Sequence, residues 1–273
     1  MTSMETSDRP LLDKAKYGPW AVVAGGSEGT GACFAREIAA SGINLVLIAR
    51  RPEPLEAIAQ ELRREYGVEV RTLTLDLNMT GAAEAMAKAT ADLEVGLYVS
   101  NAGAEKGGHQ FLDTPLQTMR ELIARNVLTV VEACHHFGQG MRARGRGGIV
   151  LMGSGAGLGG QPGVAVYSGA KAFVLNLAES LWSELRAAGV DVIGIAAPVM
   201  ETPSLRASVG DIQIPGIFAP EDVVRNTLQR LPQGPSYVYA FGEAPEESER
   251  QTAARRERVL AVERISQAFF GKH

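Results

Sequence analysis

The sequence is poor in cysteine, in histidine and in excess positive charge. Its 273 residues hold two cysteines, Cys33 and Cys134, far apart and each inside a periodic apolar segment. That excludes a disulfide framework and predicts two small buried hydrophobes. The four histidines make no metal-ligand spacing, since His135 and His136 are adjacent and point to different sides of a helix. No metal site is expected. Lys and Arg number 27 against 31 Asp and Glu, a formal net charge of −4, which argues against nucleic acid or an anionic membrane as partner. The arginines scattered over 142–146 and 254–258 read as solvated faces. No apolar run reaches the ~18–20 residues of a membrane span. The first eight residues lack the basic and apolar regions of a signal peptide. A cytoplasmic protein with no membrane span is the expectation.

Hydrophobic residues make up 45% of the chain and charged residues 21%, enough for a sizeable core. Short apolar runs at 20–24, 43–49, 68–75, 97–100, 148–152, 190–196 and 236–240 read as strands. Helical patterns stand between them, at about 31–40, 54–66, 82–89, 115–142, 167–187 and 221–231, with a charged last helix over 246–269. A Gly/Pro-punctuated segment over 199–220 reads as irregular. Strands alternating with helices imply an α/β fold, a single doubly wound domain with a parallel sheet of about seven strands flanked by helices. That domain is assigned to 17–243, after a flexible tail over 1–16 and before a helical extension over 244–273.

The first strand enters Gly25-Gly26-Ser27-Glu28-Gly29-Thr30-Gly31, and a helix follows. A Gly-rich turn opening a helix is an anion site, because backbone N–H groups point outward and the helix dipole favours a phosphate. Gly25, Gly29 and Gly31 let the backbone approach a dinucleotide pyrophosphate, and Ser27 and Thr30 can donate to it. At the end of the second strand a carboxylate would bind the ribose 2′-hydroxyl of NAD, whereas Arg accommodates a 2′-phosphate. The residues there are Arg50 and Arg51, so NADP(H) is favoured over NAD(H).

Tyr167 and Lys171, in Tyr167-Ser168-Gly169-Ala170-Lys171, lie one helical turn apart on one face. An ammonium beside a phenol favours the phenolate and lowers the Tyr pKa from its reference near ~10. The pair suits proton transfer in alcohol/carbonyl chemistry.

Together these features resemble a short-chain dehydrogenase/reductase over roughly 17–240, a family with the Rossmann fold. The run from Ala24 to Gly31 is similar to the family's T-G-x-x-x-G-x-G, with Ala24 where Thr is usual. Asp76, followed by Leu77, matches the adenine-contacting end of the third strand. Asn101-Ala102-Gly103 matches the family's N-A-G, and Asn126 the helix Asn that holds a proton-relay water. Ser154, thirteen residues before Tyr167, matches the catalytic Ser. Tyr167 and Lys171 match Y-x-x-x-K.

The resemblance implies four catalytic residues, Asn126, Ser154, Tyr167 and Lys171, acting on a small-molecule ketone or secondary alcohol. It implies nucleotide contacts from the residues above and from Pro198 and Thr202. Three departures stand out. Glu28 sits where many NADP-preferring members carry Lys or Arg, and Gly153 sits where a second Ser is common. Pro198-Val199-Met200-Glu201-Thr202 replaces P-G-x-x-x-T, so Thr202 arrives one residue early.

The opening strands are similar to the branch of long-chain 3-oxoacyl-CoA reductases and hydroxysteroid dehydrogenases, which implies a hydrophobic ketone, with 200–218 as substrate lid. The helix after Tyr167 is apolar nearly all round and needs a second cover. The family supplies that cover from another subunit, so a homodimer or homotetramer is expected. A redox sensor or scaffold that binds NADP without turnover is the alternative, disfavoured by the intact catalytic set.

Overall fold

Continuous apolar runs make strands that can be covered on both faces. The computed structural model, which describes residues 10–104, 108–240 and 245–270, places such runs at β1 (Trp20–Ala24), β2 (Asn44–Ala49), β4 (Val95–Ser100), β5 (Gly147–Met152) and β6 (Val190–Ala196). With β3 (Val70–Thr74) and β7 (Ser236–Val238) they form one parallel sheet of order β3-β2-β1-β4-β5-β6-β7. Alternate residues of β1 feed different cores: Ala21 and Val23 pack on one face, Trp20, Val22 and Ala24 on the other. The chain winds outward from β1 to β3, then returns to place β4 on β1's other side. Ligands bind at the carboxyl ends of the strands flanking such a reversal. Here Ala24 is in register with Ile48 of β2 and Ser100 of β4, so the loops after β1 and β4 leave the sheet side by side.

The helices are α1 (Lys14–Tyr17), α2 (Gly29–Ala40), α3 (Pro52–Tyr66), α4 (Ala82–Ala89), α5 (Leu116–Ile123), α6 (Thr129–Arg144), α7 (Ala165–Leu185), α8 (Pro203–Val209), α9 (Pro220–Arg230) and α10 (Pro245–Phe270). Four sequence expectations need correction. The single helix over 115–142 is two helices joined by a π turn, Ala124–Leu128. The segment over 199–220 contains α8, whose N-cap Thr202 accepts from the Leu205 N–H at 3.2 Å.

The tail over 1–16 does not extend that far. Leu12 is buried, Asp13 caps α1, and Arg146 donates to the Ala15 and Gly18 carbonyls at 2.9 and 3.1 Å. Residues 1–9, like the expected boundary at 243/244, lie outside the described residues. Some of the arginines read as solvated are anchors, though Arg142 and Arg258 are exposed as expected: Arg144 donates to the Val95 carbonyl at 2.6 Å, and Arg256 to the Gln233 and Gly234 carbonyls at 2.5 and 2.6 Å.

This chain's own α10 covers part of α7. Val259 and Leu260 pack into the core beneath it. Arg255 donates to the buried Glu179 carboxylate at 2.6 Å, and Arg186 to Glu263 at 2.7 Å. The Arg186 and Arg256 guanidiniums lie 4.3 and 4.8 Å from the Trp182 ring centre. Both cysteines are free and buried, as expected.

Candidate active site

The site is built where the loops after β1, β4, β5 and β6 meet the N-terminal half of α7. The turn after β1 is pinned from both neighbours. Gly25 and Gly26 N–H groups donate to the Ile48 carbonyl at 2.8 and 3.1 Å, and Asn101 Nδ2 donates to the Gly25 carbonyl at 3.0 Å. Gly31 is obligatory, since a Cβ there would stand 1.8 Å from the Gly25 oxygen. Glu28, the α2 N-cap, makes no side-chain cap bond and pairs instead with Arg51. The free backbone donors at the start of α2 are thereby left facing the cavity.

The catalytic candidates converge from three elements. The π turn places Asn126 inward: it is buried, and its Nδ2 donates to the Leu122 carbonyl at 3.0 Å. π turns recur at functional sites because they re-aim one side chain without ending the helix. Thr129, just after it, donates to the Leu77 carbonyl at 3.0 Å and fastens the turn to the loop after β3. Lys171 is buried, and its Nζ donates to the Met152 carbonyl at 2.8 Å. The same Nζ lies 5.6 Å from the Tyr167 ring centre. Burial, and then the charge of Arg125, hold the ammonium pKa down at about 7.

Ser154 accepts from the Ala156 N–H at 3.2 Å. That use of its lone pair leaves the hydroxyl proton free to be donated. The loop carrying Ser154 is locked to α7 by Ser168, which donates to the Ala156 and Gly159 carbonyls at 2.6 and 2.8 Å. Ser168 stood in the Y-x-x-x-K run without an assigned role; only the folded loop supplies its partners.

A cavity of about 790 Å³ joins Ser154, Tyr167 and Lys171, while Asn126 is not part of its lining. Its lining includes Gly25, Gly29, Thr30, Asn101, Ala102, Gly103, Ser154, Tyr167, Lys171, Pro198 and Thr202. The shortened loop after β6 still delivers Thr202 to the Gly-rich turn, where a Cβ on Gly29 would lie 3.3 Å from the Thr202 side chain. The cavity's lining also includes the apolar or aromatic side chains of Leu158, Val164, Met200, Leu205, Phe218 and Tyr239, with Met200 Sδ 3.6 Å from Thr30 Oγ1. Met200 and Phe218 form a parallel bridge that holds the segment after β6 over the opening.

Several expected nucleotide contacts lie outside that lining. Ser27 and Gly31 sit in the turn behind it, and Arg50 and Arg51 are exposed at the end of β2. Asp76 is half-buried and accepts from the Asn78 N–H at 3.0 Å. Leu77 fits least well: its side chain is in the core and Thr129 takes its carbonyl.

A dinucleotide fits what these residues offer. The Gly-rich turn is a cradle with no room for side chains at its closest approach. A Cβ on Gly103 would stand 2.2 Å from Asn126 Oδ1 and 2.9 Å from Lys171 Nζ, so both polar atoms converge on one bare backbone position. Asn126 Oδ1 is buried without a hydrogen-bond partner among the described residues. An unmade buried acceptor costs roughly 1–3 kcal/mol, and this one lies behind Gly103, which lines the cavity.

Comparison with known proteins agrees with this geometry. Residues 19–212 match the family model for short chain dehydrogenase. The chain is 32% identical to a 7beta-hydroxysteroid dehydrogenase of Collinsella aerofaciens, over 80% of this chain and 84% of that one. It is 35% identical to a very-long-chain 3-oxoacyl-CoA reductase of Podospora anserina, over 85% of this chain and 68% of that one. Among solved structures, a short-chain dehydrogenase from Sphingobium yanoikuyae in complex with NADPH superposes with a TM-score of 0.78 at 25% identity, covering 89% of this chain and 95% of the other.

Proposed function

This chain belongs to the short-chain dehydrogenase family and is therefore a dehydrogenase/reductase acting on CH–OH or C=O groups, and we propose that it interconverts a bulky hydrophobic ketone and its secondary alcohol using NADP(H). The observation that carries the proposal is a single cavity lined by the Gly-rich turn, by Ser154, Tyr167 and Lys171, and by a wall of apolar side chains. Steroid-like and long 3-oxoacyl ketones fit that wall, and the relatives above act on such compounds by name.

The nicotinamide, when bound, supplies or accepts the hydride. This chain's residues handle the proton. Tyr167 gives its phenolic proton to the carbonyl oxygen in reduction and takes it back in oxidation. Lys171 is the cation beside that phenol, and Ser154 donates to the same substrate oxygen as its charge develops. Asn126 Oδ1 anchors the far end of the proton path beside Lys171 Nζ. Arg50 and Arg51 face the 2′ position. Glu28 neutralises part of Arg51, and the pair of arginines still leaves one net positive charge there.

The test is oxidation of NADPH and of NADH with a panel of steroid ketones, 3-oxoacyl thioesters, quinones and small aldehydes. Faster turnover with NADPH and with the bulky ketones is expected. Faster turnover with NADH would overturn the argument from Arg50 and Arg51, and a preference for small aldehydes would overturn the one from the apolar wall.

The chain's assembly follows from what α10 leaves bare. Leu116, Ile123, Leu128, Val131 and Phe173 stay exposed on the packed group of α5, the π turn, α6 and α7. A second copy would cover this face, and light scattering is expected to give the mass of a dimer or tetramer. A clean monomer would sink the idea.

A further inference from the structure

Arg125 was not among the residues that pattern reading assigned, yet it touches both sides of the nucleotide groove. It stands beside Asn126 in the π turn. Its Nη1 donates to Asn78 Oδ1 at 3.1 Å, in the loop after β3, and its Nη2 donates to the Ala104 carbonyl at 3.0 Å, in the loop after β4. Asn78 follows Asp76 and Leu77, at the end expected to meet adenine. Ala104 follows Gly103, at the end where Asn126 and Lys171 converge. One planar guanidinium therefore fixes the spacing of two loops that belong to opposite ends of the ligand. Its forked donors suit that task, since two nitrogens held in one rigid plane reach the two partners separately, whereas a lysine would have to reach both from one nitrogen on a shorter stem. The π turn makes this possible by sending adjacent residues in different directions, Asn126 inward and Arg125 across the groove.

We propose that Arg125 is a positioning residue that ties the loop after β3 to the loop after β4 and holds a second positive charge against Lys171. The charge matters because the groups around that lysine decide how readily it holds its proton. Its own helix contributes Tyr167. β5 and the turn Gly155–Leu158 carry no titratable side chain, and the loop after β4 brings His109 and Asp113, while its Glu105 and Lys106 lie outside the described residues. On α5 stand Arg120 and Glu121, the latter accepting from Gln117 on its own helix. Asp191 of β6 is at the opposite end of the sheet, bonded to Tyr17. Among the described residues, Arg125 is the charge that acts with burial to favour the neutral amine.

The proposal rests on assigning this groove to the nucleotide, and its test separates the two. Lysine labelled with carbon-13 at Cε reports the Lys171 titration by NMR in the nucleotide-free protein, with Lys171→Met identifying the signal. Arg125→Met is expected to move the midpoint upward by about half a pH unit, since a nearby like charge has gone. Arg125→Lys keeps the charge and should leave the midpoint in place. Calorimetric titration with NADPH should show both variants binding several-fold more weakly, because neither can bridge Asn78 and Ala104. Circular dichroism confirms that each variant is folded. An unchanged midpoint in Arg125→Met overturns the electrostatic half. Unchanged NADPH affinity in both variants overturns the bridging half. If the wild-type protein binds no NADPH, the nucleotide assignment fails, while the lysine titration still decides the charge effect.

Discussion

Tyr167→Phe is expected to lower turnover by ~10²–10⁴-fold, the usual contribution of a positioned general acid, while leaving NADPH affinity unchanged. The substitution removes one oxygen and keeps the half-buried ring. The ring's place near Lys171 Nζ, 5.6 Å away, and the packing of α7 are both preserved. Only the proton is lost. Ser154 remains and can donate a hydrogen bond, but an aliphatic hydroxyl is a far weaker acid than a phenol. The loop that holds it is fastened through Ser168, which the variant does not touch. Steady-state kinetics with the best ketone of the panel, together with NADPH binding followed by nucleotide fluorescence, would check both halves. Near-normal turnover would remove Tyr167 from the mechanism. Loss of binding along with turnover would mean that the phenol positions the nucleotide.

Much of this site could be read without coordinates because its parts are local. An apolar strand running into glycines fixes the turn after β1, and a Tyr and a Lys four apart fix one face of a helix. What escaped depended on contacts between distant segments. The π turn is invisible in the pattern, since Leu122, Asn126 and Val130 keep a helical spacing on both sides of it while one hydrogen-bond register slips. Arg125 looked like any exposed helix cation; its partners, Asn78 and Ala104, are 47 and 21 residues away in the chain. Arg144, Arg146 and Arg256 read as solvated for the same reason, their carbonyl partners being brought to them by the fold. Thr202 illustrates the converse. One residue fewer in its loop looked disruptive, yet the hydroxyl still caps α8 beside Gly29, because a helix N-terminus tolerates a one-residue change in the loop before it.

Lys171→Met should abolish turnover and yet stabilise the protein. Lys171 is 4% exposed, and burial, with Arg125 second, holds its pKa at about 7. In the unfolded chain the pKa returns to roughly 10.4. Between those values the unfolded state binds the extra proton, so folding gains stability as pH rises through this window. Below about 7 both states carry the proton and the cost of burying the charge is fully present. Methionine matches the straight lysine stem and removes that cost. Replacing buried charge by packed hydrophobic atoms typically gains ~1–4 kcal/mol. Leaving the Met152 carbonyl without its donor takes back roughly 1 kcal/mol or somewhat more. The net expectation is a rise in Tm of several degrees at pH 6, shrinking as the pH approaches 10. Thermal unfolding of the nucleotide-free protein and the variant at both pH values measures it. A variant less stable at pH 6, or a difference that grows with pH, would contradict the assignment of a costly buried cation. A lysine that weakens its own fold at the pH where the enzyme works has no structural reason to be there. Its hydrogen bond to Met152 could be replaced at less expense by a neutral donor. What a neutral donor could not supply is a positive charge beside the Tyr167 phenol at the moment its proton leaves, and that is the argument for placing Lys171 in the chemistry rather than in the scaffold.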